Sequence, residues 1–303
     1  AYSVTGTQMI PFYIFYSMFG FQRIGDLAWA AGDSRARGFV LGATAGRTTL
    51  NGEGLQHEDG HSHLMSATIP NCVSYDPTFG YELAVIIQEG MRRMVQNQED
   101  VYYYITLMNE NYSHPEMPKG AETGILKGMY SFSQSKAKGP KVQLMGSGVI
   151  LREVIAAGEL LEKDWGVSAD IWSVTSFTEL RREGLDTERW NMLNPDKKAK
   201  QSYVEECLSK TEGPVIASTD YMKSFGDQIR NFVPRRFVSL GTDGYGRSDS
   251  REALRSFFEV DRYYVVLATL KALADEGKVP ASKAAEAIKK YKINASRPNP
   301  TTV

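Results

Sequence analysis

MIPFYIFYSMFGFQRIGDLAWAAGDSRARGFVLGATA, residues 9–45, is the stretch that decides the fold, because three patterns follow one another in it. Residues 9–17 are rich in apolar and aromatic side chains, which predicts a buried strand. Residues 21–36 have helical spacing, and residues 38–45 form a second apolar run. Continuous apolar strands that alternate with a helix indicate a parallel sheet covered on both faces.

The same alternation continues through the rest of the chain. We predict a strand at 65–75, a helix at 78–95 and a strand at 100–109. Prolines, glycines and lysines then cluster in residues 114–140, as in a linker with a short helix. The sequence therefore predicts an α/β protein of two domains, residues 1–117 and 118–303. In the second domain we expect strands at 141–149, 169–176, 214–221 and 236–243, and helices at 150–166 and from residue 251.

Composition and charge exclude several classes of protein. The net charge is −1 and both signs are mixed along the chain, which argues against a nucleic-acid or anionic-membrane partner. Cys72 and Cys207 form neither a CxxC pair nor a disulfide framework, so a reducing compartment is the simpler interpretation. The most apolar stretches, 9–21 and 263–274, are too short to span a bilayer. With no visible signal peptide in AYSVTGTQ, these features predict a soluble, cytoplasmic protein.

The segment NGEGLQHEDGHSH (51–63) contains HEDGH, which matches the zinc-peptidase pattern H-E-x-x-H. A zinc site of this kind requires His57 and His61 on one face of a stable helix. Asp59-Gly60 between them is a turn dipeptide, and an interior glycine costs about 1 kcal/mol relative to alanine. A third ligand would have to come from Glu53 or His63 on the same flexible loop. The sequence therefore argues against a zinc-dependent hydrolase, which we keep as an alternative.

This segment follows a predicted parallel strand, and in open α/β sheets the loops at the carboxyl ends of strands bind ligands. Histidine and carboxylate together provide proton donors and acceptors near neutral pH. From the residues alone, an active-site loop and a loop whose histidines only satisfy backbone groups are about equally well supported. The residues concerned are Glu53, His57, Glu58, Asp59, His61 and His63.

Blocks of sequence along essentially all 303 residues resemble the homodimeric bacterial type of pyruvate dehydrogenase, the thiamine-diphosphate component of the pyruvate dehydrogenase complex. In that family the matching region is the C-terminal third, which holds most of the pyrimidine-binding domain and then the C-terminal domain. The resemblance thus implies two transketolase-like α/β domains with mostly parallel sheets. The blocks are FYIFYSMFGFQRIGDLAWAAGD, GRTTLNGEGLQHEDGHSH, PNCVSYDP, VYYYITLMNENY, SVTSFTELRREG, ERWNML, ASTDYMK and LGTDGYGRSDSRE.

The resemblance also implies an activity and roles for individual residues. The activity is thiamine-diphosphate-dependent decarboxylation of pyruvate, with reductive acetylation of the lipoyl group of the partner dihydrolipoamide acetyltransferase, in a homodimer. Tyr16 and Phe19 match the residues that line the aminopyrimidine ring of the cofactor. Glu53 and His57 match the active-site glutamate and histidine, which would serve proton transfer at the substrate. The related transketolase pattern E-D-G-x-x-H nominates His63 as a substrate-facing group, while His61 has the weakest case.

Two features of the family do not occur in these residues. Its magnesium-binding G-D-G…N pattern is missing, and its glutamate that protonates the aminopyrimidine corresponds to a position upstream of Ala1. We therefore expect no metal ligand in this chain, Mg²⁺ ligands outside it, and an inactive chain that does not bind the cofactor tightly by itself. A non-catalytic dimerisation module remains a further alternative.

The block GTDGYGRSD (241–249) has some features of a phosphate-binding loop. It lacks the G-K-[ST] ending and the G-x-G-x-x-G spacing that such loops need. We therefore predict a structural turn followed by a helix, with Asp249 and Glu252 as a capping box.

Overall fold

Two β-sheets organise the computed structural model, which describes residues 5–7 and 9–303. The first sheet has the order β1-β2-β4-β3, and all its neighbouring strands are parallel. The second has the order β5-β7-β6-β8-β9, with β5 antiparallel to β7 and the other pairs parallel. The prediction of mostly parallel sheets is therefore confirmed. The strands are β1 (Phe12–Phe15), β2 (Phe39–Ala43), β3 (Cys72–Tyr75), β4 (Tyr102–Leu107), β5 (Met129–Ser133), β6 (Lys141–Gly146), β7 (Ser168–Val174), β8 (Val215–Ser218) and β9 (Phe237–Leu240).

Helices connect the strands and cover the sheets, as the alternating pattern predicts. In the described part of the chain, no helix combines the length and the apolar content needed to cross a bilayer. The helices are α1 (Ser17–Asp33), α2 (Ser62–Ser66), α3 (Gly80–Met91), α4 (Glu122–Lys127), α5 (Leu151–Leu160), α6 (Phe177–Leu193), α7 (Tyr203–Leu208), α8 (Lys223–Asp227), α9 (Arg251–Phe257), α10 (Arg262–Asp275) and α11 (Ser282–Lys290).

The first strand is exposed, so the prediction that it is buried is wrong. Phe12, Tyr13 and Ile14 keep 49%, 58% and 61% of their surface accessible. The reason is topological, because among the described residues β1 lies at the edge of the first sheet and pairs only with β2. An aromatic run indicates a strand, but it does not tell an edge position from a central one.

Two other segments differ from their predictions. The strand expected at 65–75 is limited to β3, because Ser62–Ser66 forms the short helix α2. The linker expected at 114–140 contains the predicted short helix, α4, but also β5, which pairs with β7. This segment therefore belongs partly to the second sheet, and the boundary between residues 117 and 118 stays a prediction.

Buried carboxyl groups join the two sheets. Asp76, which follows β3, accepts hydrogen bonds from Thr106 Oγ1 at 2.7 Å and Ser147 Oγ at 2.8 Å. Burial raises the pKa of Asp76 to about 7. Asp220, which follows β8, accepts hydrogen bonds from the backbone N–H and the hydroxyl of Thr48, which follows β2. The polar contacts between the sheets thus lie at the carboxyl ends of the strands, where the histidine-containing segment also begins.

Candidate active site

Three aromatic rings meet near the start of α1, and we call Tyr16, Phe19 and His57 the ring cluster. The His57 ring centroid lies 5.4 Å from that of Tyr16 and 5.0 Å from that of Phe19. The interplanar angles of 68° and 71° are those of edge-to-face contacts, a preferred arrangement for aromatic pairs. The structure therefore brings together the residues predicted to bind the cofactor and one predicted to be catalytic.

The order of the strands explains this meeting. Because β1 and β2 are parallel neighbours, their carboxyl ends lie at the same edge of the sheet. Tyr16 follows β1 directly, and β2 leads into residues 47–61, which we call the histidine loop. The Ser17 hydroxyl donates a hydrogen bond of 3.0 Å to the Thr44 carbonyl and so ties the start of α1 to the exit of β2.

His57 has an unsatisfied polar atom. Its Nδ1 is buried and has no hydrogen-bond partner among the described residues. The nearest carboxylate oxygen, Oε2 of Glu53, is 3.8 Å away, so the two predicted catalytic side chains are adjacent without being hydrogen-bonded. Native structures leave few buried polar atoms unpaired. An unpaired nitrogen at this position therefore suits a hydrogen bond to a ligand.

Two further residues of α1 contact the ring cluster or the histidine loop, and the sequence analysis did not single them out. The Arg23 guanidinium carbon lies 4.2 Å from the ring centroid of Phe19, within the range of a cation–π contact. Gln22 Nε2 lies 2.5 Å from His61 Nε2. The predicted helix begins at residue 21, so the spacing of four residues from Phe19 to Arg23 is a helical pair only because α1 begins at Ser17.

His63 does not join the ring cluster. It is 1% exposed, and its Nδ1 and Nε2 are hydrogen-bonded to Ser74 Oγ at 2.6 Å and Thr106 Oγ1 at 2.9 Å. Its ring also stacks on that of Phe225, with centroids 4.8 Å apart. Burial lowers the pKa of His63 to about 3. This burial argues against the substrate-facing position predicted for His63, and the role of this residue stays a prediction.

The HEDGH segment does not form a helix, so the geometry required for the zinc pattern is not present. His57 lies in a turn and α2 begins only at Ser62. Asp59 Oδ1 instead accepts hydrogen bonds from the backbone N–H groups of His61, at 3.0 Å, and Ser62, at 2.9 Å. Within residues 5–7 and 9–303, no group of three or more His, Cys, Asp or Glu side chains is arranged to hold a metal ion.

The histidine loop contacts the 244–249 loop, which follows β9. Glu58 is fully buried, and its Oε2 accepts the backbone N–H of Arg247 at 2.7 Å. Arg47 donates a hydrogen bond to the Gly244 carbonyl. Gly52 donates its N–H to the Asp249 carbonyl at 3.2 Å. The block predicted as a structural turn therefore packs against the loop that carries His57.

The capping box predicted at Asp249 and Glu252 does not form, and α9 is capped one residue later. The cap of α9 is Ser250, whose hydroxyl oxygen accepts the backbone N–H of Ala253 at 3.2 Å. The Asp249 carboxylate accepts the N–H of Ser250, while its carbonyl is bonded to Gly52. Contact with the histidine loop thus uses the backbone of Asp249, which spacing along the chain does not reveal.

Comparisons with known proteins identify the family and the fold. Residues 1–115 match the family model described as pyruvate dehydrogenase E1 component middle domain. Residues 128–261 match the family model described as transketolase-like TK C-terminal domain. A solved structure of transketolase from Leishmania mexicana is similar with a TM-score of 0.65 at 16% identity, covering 91% of this chain and 36% of that one. At this identity the likeness shows the fold alone, which is transketolase-like.

Curated relatives match the chain from end to end. It is 66% identical over 305 residues to the pyruvate dehydrogenase E1 component of Cupriavidus necator, covering 100% of the chain and 34% of that protein. It is 58% identical over 302 residues to the pyruvate dehydrogenase E1 component of Escherichia coli K12, covering 99% of the chain and 34% of that protein. The chain thus spans about a third of the length of the curated relatives that it matches.

Proposed function

Since the chain belongs to the bacterial pyruvate dehydrogenase E1 family, in which it matches the C-terminal third, we propose that it takes part in the decarboxylation of pyruvate with thiamine diphosphate. The acetyl group then passes to the lipoyl group of the partner dihydrolipoamide acetyltransferase. The observation that carries this proposal is the ring cluster, with Glu53 beside it.

The ring cluster suits the aminopyrimidine end of the cofactor. A flat heteroaromatic ring needs aromatic side chains to stack on, and Tyr16 is 43% exposed while Phe19 is partly exposed. The unpaired Nδ1 of His57 adds a polar atom at the same place. Among the described residues, no three or more His, Cys, Asp or Glu side chains are grouped to hold a metal ion. We propose that the diphosphate and Mg²⁺ are held by groups outside this chain.

The bound cofactor would supply the stabilisation of negative charge that loss of carbon dioxide from pyruvate requires. We propose that His57 holds or transfers a proton at Nδ1, because the surrounding rings exclude water and leave this atom free. Glu53 would orient the imidazole once the 3.8 Å gap closes, since catalytic hydrogen bonds are often long before the substrate binds. Tyr16 and Phe19 would position the aminopyrimidine.

We also propose that the protein is homodimeric and cytoplasmic. Along the chain, we propose that the boundary between its two domains lies between residues 117 and 118. What supports the homodimer is apolar surface on the first sheet and on α1. Phe12, Tyr13, Ile14, Leu27 and Trp29 are all exposed large apolar side chains. Tyr13 and Leu27 line the same apolar cavity, and contiguous apolar surface of this kind marks interaction sites.

The test of the proposed activity is an assay of the natural, full-length protein with pyruvate, thiamine diphosphate and Mg²⁺. We expect release of carbon dioxide that depends on the cofactor, and acetylation of an added lipoyl domain. If carbon dioxide release did not depend on thiamine diphosphate, the proposed activity would be wrong.

A further inference from the structure

The catalytic candidates on the histidine loop lie between two points of attachment to the 244–249 loop. Before them, the Gly52 N–H is bonded to the Asp249 carbonyl. After them, Glu58 accepts the Arg247 N–H. Glu53 and His57 occupy the turns in between, where the backbone of His57 is held by a 3.2 Å hydrogen bond to the Gly54 carbonyl. The position of His57 in the ring cluster thus depends on both attachments.

The two loops approach more closely than side chains on both would allow. A Cβ atom added at Gly246 would lie 2.6 Å from Glu58 Oε2 and 2.8 Å from Glu58 Cβ. One added at Gly54 would lie 2.7 Å from Ser248 Oγ. Gly246 therefore permits the close approach of Glu58 to the 244–249 loop, and Gly54 permits that of Ser248 to the histidine loop.

The carboxyl group of Glu58 is only half satisfied. Oε2 accepts one hydrogen bond, while Oε1 is buried without a hydrogen-bond partner among the described residues. Burial first, and then the nearby Asp220, raise the pKa of Glu58 to about 8, against the opposing charge of Arg47. Arg47 in turn faces Asp59, Asp220 and Asp243 as well as Glu58. The side chain therefore reaches the 244–249 loop from a buried position and accepts the Arg247 N–H there.

We propose that Glu58 is a positioning residue, which fixes the histidine loop on the 244–249 loop and so sets where His57 and Glu53 lie in the active site. This inference rests on the proposed function, because it assigns Glu58 a role through His57. A displacement of a catalytic group by about 1 Å can lower the rate by about 100-fold.

The experiment compares kcat and KM for pyruvate in the full-length enzyme across three variants and two controls. We expect Glu58→Ala to lower kcat by about 10- to 100-fold with little change in KM, since positioning of the reacting groups is lost. Glu58→Gln should keep kcat near the unsubstituted value, because its amide oxygen still accepts the Arg247 N–H. Gly246→Ala should lower kcat as Glu58→Ala does, because the added methyl group separates the two loops while Glu58 is unchanged. If Glu58→Ala does not fold, kcat of Gly246→Ala tests the positioning role instead.

The controls repeat the same chemical changes away from the contact. Glu252→Gln alters an exposed glutamate in the first turn of α9. Gly25→Ala adds a methyl group with no atom within 4 Å. Both should leave kcat unchanged.

A further readout separates positioning from general destabilisation. Hydrogen exchange of residues 51–57, measured without cofactor, should be faster in Glu58→Ala than in Glu58→Gln. An inactive unsubstituted enzyme would refute the proposed function instead. If that enzyme is active and both Glu58→Ala and Gly246→Ala keep kcat within about twofold, Glu58 has no positioning role.

Discussion

Acidification should destabilise the protein through His63. Burial keeps the pKa of this histidine at about 3, against 6.5 for an unperturbed side chain. Between these two values the unfolded chain binds a proton that the folded protein does not bind, so stability is lost as the pH falls from about 6.5 towards 3. From pH 7 to pH 5, the linkage relation gives a loss of about 2 kcal/mol from this one residue.

The variant that isolates this effect is His63→Gln. A glutamine amide can hydrogen-bond to Ser74 or Thr106 but does not titrate, so its contribution to stability should not change between pH 7 and pH 5. Buried acids that share no hydrogen-bond partner with His63, such as Glu82, contribute equally in both proteins and cancel in the comparison. We therefore expect the free energy of unfolding, from urea denaturation, to fall by about 2 kcal/mol more in the unsubstituted protein than in His63→Gln.

Nuclear magnetic resonance of ¹³C-labelled histidine provides the direct check. The signal that disappears in His63→Gln should not shift between pH 7 and pH 5 in the unsubstituted protein. A midpoint near 6.5 for that signal, or equal losses of stability in the two proteins, would refute the argument. The imidazole would then be accessible to water, and a substrate-facing role for His63 would become tenable again.

Three other predictions concern the ring cluster and the binding of the cofactor. In the full-length enzyme, His57→Ala should keep the fold by circular dichroism but lower kcat by about 10²–10⁴-fold, and an unchanged kcat would make His57 a structural loop residue. Phe19→Ala should weaken cofactor binding by about 2- to 10-fold in a calorimetric titration, because one aromatic contact contributes about 0.5–1.5 kcal/mol; unchanged affinity would place the aminopyrimidine elsewhere. The 303-residue chain alone should bind thiamine diphosphate weakly even with Mg²⁺, and submicromolar binding would show that its residues form a complete site.

The regular part of the fold could be predicted from the sequence because it depends on local patterns. Apolar runs correspond to strands β2, β4 and β6 within two or three residues at each end. The edge position of β1 and the pairing of β5 could not be predicted, since both depend on which strands become neighbours in space. A run of aromatic residues has the same appearance in either position.

The candidate site was predictable only in part. The resemblance to a family singled out Tyr16, Phe19, Glu53 and His57, and the parallel pairing of β1 with β2 explains why they meet. The resemblance also nominated His63. This residue is buried because its ring packs against Phe225 of α8, which follows β8 of the second sheet. No pattern in a polar loop distinguishes a histidine that faces a ligand from one beneath the loop, because both lie among turn residues and carboxylates.

The attachment of the histidine loop has a consequence for hybrid enzymes assembled from two relatives. The segment after residue 117 is an obvious point at which to join halves of different origin, yet the contacts of Arg47 and Glu58 cross it. On the far side, both contacts end on backbone atoms, the Gly244 carbonyl and the Arg247 N–H. The far half of a hybrid can therefore differ at the side chains of Tyr245 and Arg247, provided that the path of its main chain and the glycine at 246 are preserved. At this attachment the path of the main chain decides whether two halves are interchangeable, whereas at Asp220 and Phe225 the side chains themselves must also be preserved.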